Sequence, residues 1–168
     1  MAIGRIGVVG CGLMGSGIAQ VSAQAGFPTV VREVSPNALE KGLATIRRFL
    51  EGGVEKGKLT RTEVEKTLGN LRGTVELRDL SDCDLVIEAA PENLAVKREI
   101  LVALDGICGP TAIFATNTLS LSVTEMSTFV KRPSKVIGLH FFNPVPLMKL
   151  VEVVHTVRTD PQTIEQAI

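Results

Sequence analysis

The chain has 168 residues, of which 45% are hydrophobic and 21% charged, a composition that can bury a core and is not that of a disordered chain. Eighteen Lys and Arg are matched by 18 Asp and Glu, so the surface lacks the basic surplus that a phosphate backbone demands, and nucleic acid is not an expected partner. Aromatic residues are only 4%, with no Trp or Tyr, which removes base-stacking platforms, and three scattered cysteines fit neither a disulfide framework nor a zinc site.

In chain order, residues 3–9 read as a buried strand and 13–25 as a helix. Residues 28–33 form a second strand, after which Ser35 and Pro36 supply an N-cap and a helix-opening proline. Residues 36–55 and 60–68 both read as helices, parted by Gly57 and its neighbours. Two helices between two strands make an inserted hairpin, an arm over about 36–68 that carries Lys41, Arg47, Arg48, Lys56, Lys58, Arg61 and Lys66. Further strands are expected at 74–77, 85–88 and 112–115, with a helix at 94–104. Residues 136–142 and 150–154 give two more, and the linker holding Pro144 and Pro146 is too short for a crossover helix, so this pair should be antiparallel.

The alternation predicts an α/β fold in one domain: a Rossmann-type doubly wound, mostly parallel sheet with the helical hairpin inserted and the antiparallel pair at one edge. Asp160 and Pro161 open a last helix that runs about two turns; we read it as an element cut short, against the alternative of an ordinary frayed end. Cys11, Cys83 and Cys108 read as buried, reduced thiols. With no basic leader and no apolar run of bilayer length, the expected location is the cytoplasm, without membrane contact.

Gly10-Cys11-Gly12-Leu13-Met14-Gly15 is a G-x-G-x-x-G turn between the first strand and the first helix. Gly10 permits the tight turn, Gly12 lets the backbone approach a pyrophosphate, and Gly15 allows close helix–strand packing, with Gly17 one more close-packing position. The helix start then offers free N–H groups and a positive dipole end to two phosphates. Glu33 ends the second strand about 20 residues on, where an acid accepts hydrogen bonds from the ribose hydroxyls of the adenosine half. Its charge would repel a 2′-phosphate, so NAD is the expected cofactor rather than NADP, although Arg32 alongside weakens that preference. The plain alternative is a turn that only links strand to helix.

His140 follows an apolar strand, and Glu152 interrupts a second one twelve residues later. If the two strands pair, a carboxylate faces an imidazole: it would keep one ring nitrogen protonated, leave the other as a base, and stabilise the imidazolium once formed. A hydrogen-bonded core histidine is the equally weighted alternative, and His155 is expected to face solvent.

Four stretches, GCGLMGSGIAQ at 10–20, DLVIEAAPENLAVK at 84–97, ATNT at 115–118 and GLHFFNPVPLMKLVEVV at 138–154, resemble the short-chain L-3-hydroxyacyl-CoA dehydrogenases, which include the 3-hydroxybutyryl-CoA dehydrogenases. The resemblance covers essentially the whole chain. It implies NAD-dependent oxidation of an L-3-hydroxyacyl-CoA to the 3-ketoacyl-CoA in fatty-acid metabolism, with His140 as general base and Glu152 orienting it. It places Glu92, Lys97 and Asn143 on cofactor-contacting positions and Lys56 on a lysine that contacts the coenzyme A portion. Read from the residues alone, Glu92 and Lys97 would be a helix cap and a surface lysine, and the arm's charges would only solvate two exposed helices.

The resemblance breaks at Leu119. The family usually carries a serine there whose hydroxyl contacts the substrate oxygen; leucine neither donates nor accepts, so the contact is lost unless Ser120 or a water replaces it. One lost donor aimed at a reacting oxygen can cost on the order of 100-fold in rate. Family members also continue into an all-helical domain that closes the cleft and forms a homodimer, and that domain is not in this sequence. Two rival readings follow: an NAD-binding module with little turnover, or a sister dehydrogenase of a non-CoA hydroxy acid. No metal is expected in any of them.

Overall fold

The computed structural model describes residues 2–168. Seven strands form one sheet: β1 (Ile6–Val9), β2 (Thr29–Arg32), β3 (Leu71–Thr74), β4 (Leu85–Glu88), β5 (Ile113–Thr116), β6 (Val136–Phe141) and β7 (Val151–Val154). Their order across the sheet is β3-β2-β1-β4-β5-β6-β7; all neighbours run parallel except β6 and β7, which are antiparallel. Six α-helices complete the fold: α1 (Leu13–Gln24), α2 (Pro36–Glu55), α3 (Arg61–Gly69), α4 (Leu94–Ile107), α5 (Val123–Ser127) and α6 (Pro161–Ala167).

The central strands are apolar on both faces because both are covered. Ile6 and Val8 of β1, Leu85 and Ile87 of β4, and Ile113 and Ala115 of β5 point into one core with Ile18 of α1 and Ile46 and Leu50 of α2. The alternate residues Val9, Val86 and Phe114 point into a second core with Leu101 and Leu104 of α4 and Met126 of α5. Strand periodicity thus divides each short run between two layers of helices.

Local chemistry sets where the helices begin. Ser35 accepts from the Ala38 amide and Pro36 occupies the first turn of α2. Thr60 and Glu63 form a reciprocal capping box at α3, and Asn93 caps α4 by accepting from Ala95 and Val96. Such caps are each worth about 1 kcal/mol. The α2–α3 hairpin lies between β2 and β3 in sequence and is docked, with Ile46 and Leu50 no more than 1% exposed.

Two expectations change. The strand expected at 74–77 lies earlier, at Leu71–Thr74; Thr74 Oγ1 donates to Asp79 and accepts from the Glu76 amide, which turns the chain out of the sheet into a 3₁₀ turn at Leu77–Leu80. The short helix α5, capped by Ser122, was not expected; at five residues it is too short to show a periodic stripe. Among the described residues, no helix is long and apolar enough to cross a membrane.

Candidate active site

β1 sits where the strand order reverses: its neighbours are β2 on one side and β4 on the other. In an open α/β sheet, ligands bind in the crevice beyond the carboxyl ends of the strands at that reversal. Three groups of residues collect at these ends.

The first is the glycine turn. Gly10 has φ +98°, and a Cβ there would lie 2.7 Å from the Ala89 carbonyl oxygen. A Cβ on Gly15 would lie 1.9 Å from the Gly10 oxygen, so α1 can seat this close to β1 only without one. Around Gly12 the situation is opposite: an added Cβ meets nothing within 4 Å, and no side chain caps α1 at this residue. The turn therefore presents an open, uncapped helix start, the cradle a diphosphate requires.

Beside it lies a cavity of about 510 Å³, lined by Gly12, Leu13, Met14, Val34, Val96 and Ile100 among others. Glu33 lines it too. One carboxylate oxygen of Glu33 accepts from the Cys11 amide at 2.8 Å and the other from its neighbour Val34 at 2.6 Å, which fixes the carboxylate against the turn with lone pairs to spare. Burial and the Glu33 charge push the Cys11 thiol up to about 11, so it stays neutral. All three cysteines are free and buried. A contact not foreseen from sequence holds the turn from behind: Gly42 of α2 sits against Cys11, where a Cβ would come within 2.4 Å of the Cys11 oxygen. A glycine inside a long helix was the available signal.

The second group gathers at the ends of β4 and β5. Lys97 is 0% exposed, so it is no surface lysine. Its ammonium donates to both oxygens of Glu88, at 2.8 and 2.9 Å, and lies 3.5 Å from Glu92. Glu92 does not cap α4, a position Asn93 takes. Instead it accepts from the Leu119 and Ser120 amides and from the hydroxyls of Thr118 and Ser120. Partial burial pushes the Glu92 carboxyl up, but these hydrogen bonds and the Lys97 charge outweigh it and hold the group at about 2. Leu119 is 75% exposed, whereas the Ser120 hydroxyl is turned to Glu92. Sequence reasoning missed Glu88, an acid ending an apolar strand, for which Lys97 nine residues on was the only cue.

The third group is His140 and Glu152. They are direct register partners across β6 and β7, with Nδ1 and Oε2 2.8 Å apart. The Phe142 ring lies tilted against the imidazole, centroids 4.5 Å apart. β6 meets the second group at Asn117, whose side-chain oxygen accepts from the Phe141 amide.

Asn143 and Lys56 lie further out. Asn143 lines a smaller cavity with Leu13, Gly17 and Phe49 under the linker from β6 to β7. There a Cβ on Gly17 would lie 2.8 Å from that of Val145, which makes Gly17 a close-packing position. Lys56 lines a groove of about 400 Å³ with Arg48, Phe49, Lys58 and Leu147, so three cations face a trough that shares Phe49 with the smaller cavity. His155 is exposed.

A parallel sheet with an open glycine turn at its switch point, and an acid at the end of the neighbouring strand, defines a Rossmann-type dinucleotide-binding domain. Comparison with known proteins narrows this. The family described as 3-hydroxyacyl-CoA dehydrogenase, NAD binding domain, matches residues 5–168, and the chain belongs to it. It is 48% identical over 160 residues to a 3-hydroxybutyryl-CoA dehydrogenase of Mycobacterium tuberculosis, covering 95% of this chain and 56% of that protein. It is 45% identical over 163 residues to a 3-hydroxybutyryl-CoA dehydrogenase of Bradyrhizobium diazoefficiens, covering 97% and 56%. The crystal structure of M. tuberculosis FadB2 superposes with a TM-score of 0.97 at 46% identity, covering 99% of this chain and 59% of that one. The chain thus spans little more than half the length of these three relatives.

Proposed function

We propose that the chain is the NAD-binding part of a dehydrogenase that oxidises an L-3-hydroxyacyl-CoA to the 3-ketoacyl-CoA, with His140 as general base. The observation that carries this reading is the His140–Glu152 hydrogen bond at the carboxyl ends of the strands, on the sheet that holds the glycine turn. A carboxylate can only accept, so Nδ1 carries the ring proton and Nε2 is left as the acceptor for the hydroxyl proton of the substrate. As that proton arrives, Glu152 offsets the new charge of the imidazolium.

The residues present fit a dinucleotide: Gly12, Leu13 and Met14 would bear the diphosphate, and Glu33 would take the adenosine ribose hydroxyls. When bound, NAD supplies the acceptor for the hydride that leaves C3. The fixed negative charge of Glu33 favours NAD over a 2′-phosphorylated cofactor. Arg48, Lys56 and Lys58 around one trough suit the phosphates of coenzyme A.

The test is turnover of acetoacetyl-CoA with NADH, set against a His140→Gln control. General-base removal is expected to lower kcat by about 10²–10⁴-fold with NADH affinity unchanged; equal rates in the two proteins would reject the role of His140. The second reading, an NAD-binding module of low turnover, is favoured by Leu119 and by the engagement of the Ser120 hydroxyl with Glu92. It predicts NADH binding without turnover above the control. Equal rates on a free hydroxy acid would remove the part given to Lys56 and favour a non-CoA substrate.

A further inference from the structure

The Glu88–Lys97 ion pair is fully buried, both side chains being 0% exposed. Taking two charges out of water is costly unless every lone pair and proton is satisfied. Here they are. Glu88 receives four hydrogen bonds on two oxygens: two from the Lys97 ammonium, one from the Ala90 amide at 2.6 Å and one from Thr116 Oγ1 at 2.8 Å. Lys97 adds a contact to the Ala90 carbonyl at 3.3 Å. Replacing a buried ion pair by apolar residues of similar volume is often neutral for stability, so the geometry around this one is read for a further consequence.

That consequence lies at Glu92, the next acid that the Lys97 ammonium faces. The two oxygens of Glu92 face different ways: Oε2 lies 3.5 Å from the Lys97 ammonium, and Oε1 collects the amides of Leu119 and Ser120 at 3.0 and 3.2 Å. The Glu88 main chain grips the same segment, since its carbonyl accepts from the Asn117 amide at 2.8 Å. The turn at 117–120 is therefore held from beneath by Glu88 directly and by Lys97 through Glu92. Its other side meets β6 next to His140, through Asn117 and the Phe141 amide.

We propose that Glu88 is a positioning residue: it locks the Lys97 ammonium in place, Lys97 orients Glu92, and Glu92, which the family resemblance puts at the cofactor, sets the turn at 117–120. The last step rests on the NAD-dependent reading given above. The inference concerns a residue to which the family resemblance gave no role, and it makes Glu92 the outward end of a buried chain of contacts.

The test compares the wild-type chain with the double variant Glu88→Gln/Lys97→Met, which removes both charges together and so avoids stranding one of them. Amide hydrogen exchange is read at Leu119 and Ser120, with the amides of β1 and β5 as internal controls, and NADH affinity is measured alongside. The expected result is exchange at 119 and 120 about tenfold faster and NADH binding about tenfold weaker, with the β1 and β5 amides unchanged. Unchanged exchange at 119 and 120 would overturn the proposal; faster exchange with wild-type NADH affinity would overturn its link to the cofactor. Wild-type protein that binds no NADH counts against the dehydrogenase reading alone, because the exchange measurement needs no cofactor. If the double variant does not fold, Thr116→Val withdraws a single hydrogen bond from Glu88 and should give a smaller acceleration at the same two amides; none would overturn the proposal.

Discussion

At the scale of single residues, the site is governed by which charges are held and by what. Glu92 is held at about 2, below its ordinary value of 4.5. A carboxyl whose value is lowered on folding stabilises the fold above the unfolded value, and that contribution is lost as the pH falls through the folded one. The loss should therefore run from pH 4.5 down to about 2. Glu92→Gln should flatten the pH dependence of thermal stability in that window and lower the melting temperature near neutrality, where the contribution is fully present, which melting curves across the range will show. Leu119 gives a prediction of opposite sign. It is 75% exposed and packs little, so Leu119→Ser should be neutral for stability. If the segment borders the substrate oxygen, the restored hydroxyl should raise kcat by about 10-fold or more, as measured with acetoacetyl-CoA.

At the scale of elements, the His140–Glu152 contact depends on the register of an edge strand. β7 is paired only with β6, so its alignment rests on four residue pairs, among them Gly138 with Val154 and His140 with Glu152. A Cβ on Gly138 would lie 2.9 Å from that of Val154, and the edge strand is the partner free to yield. Gly138→Ala should push β7 away, lengthen the His140–Glu152 contact and lower kcat by about 10-fold while NADH affinity stays as it was, a split that steady-state kinetics and a binding titration will separate. The antiparallel sense of this pair is legible in the sequence, because a short linker with two prolines cannot make a crossover. The position of β3 is not, since residues 71–77 offer strand-forming side chains on both sides of Thr74, and only the side-chain bonds of Thr74 decide where pairing stops.

At the scale of the whole molecule, the sheet brings the glycine turn, the buried pair and the histidine to the carboxyl ends of its strands, so a ligand bound there stabilises the fold as a unit. NADH at about 100 times its Kd should add about 2.7 kcal/mol and raise Tm by about 5–10 °C. If Glu33, fixed by the Cys11 and Val34 amides, takes the adenosine ribose as proposed, NADPH should raise it far less, because that charge would repel a 2′-phosphate. Equal shifts from both cofactors would contradict the part given to Glu33. The sequence by itself determined the glycine turn, the acid that follows it and the alternation of strands and helices, since each is a local pattern set by backbone sterics, capping and side-chain period. Only the tertiary structure decided that Lys97 is buried on Glu88, that Gly42 backs the turn and that Ser120 bonds Glu92. Those contacts join residues on different elements, and whether a charged side chain meets water or a partner is settled by what packs over it.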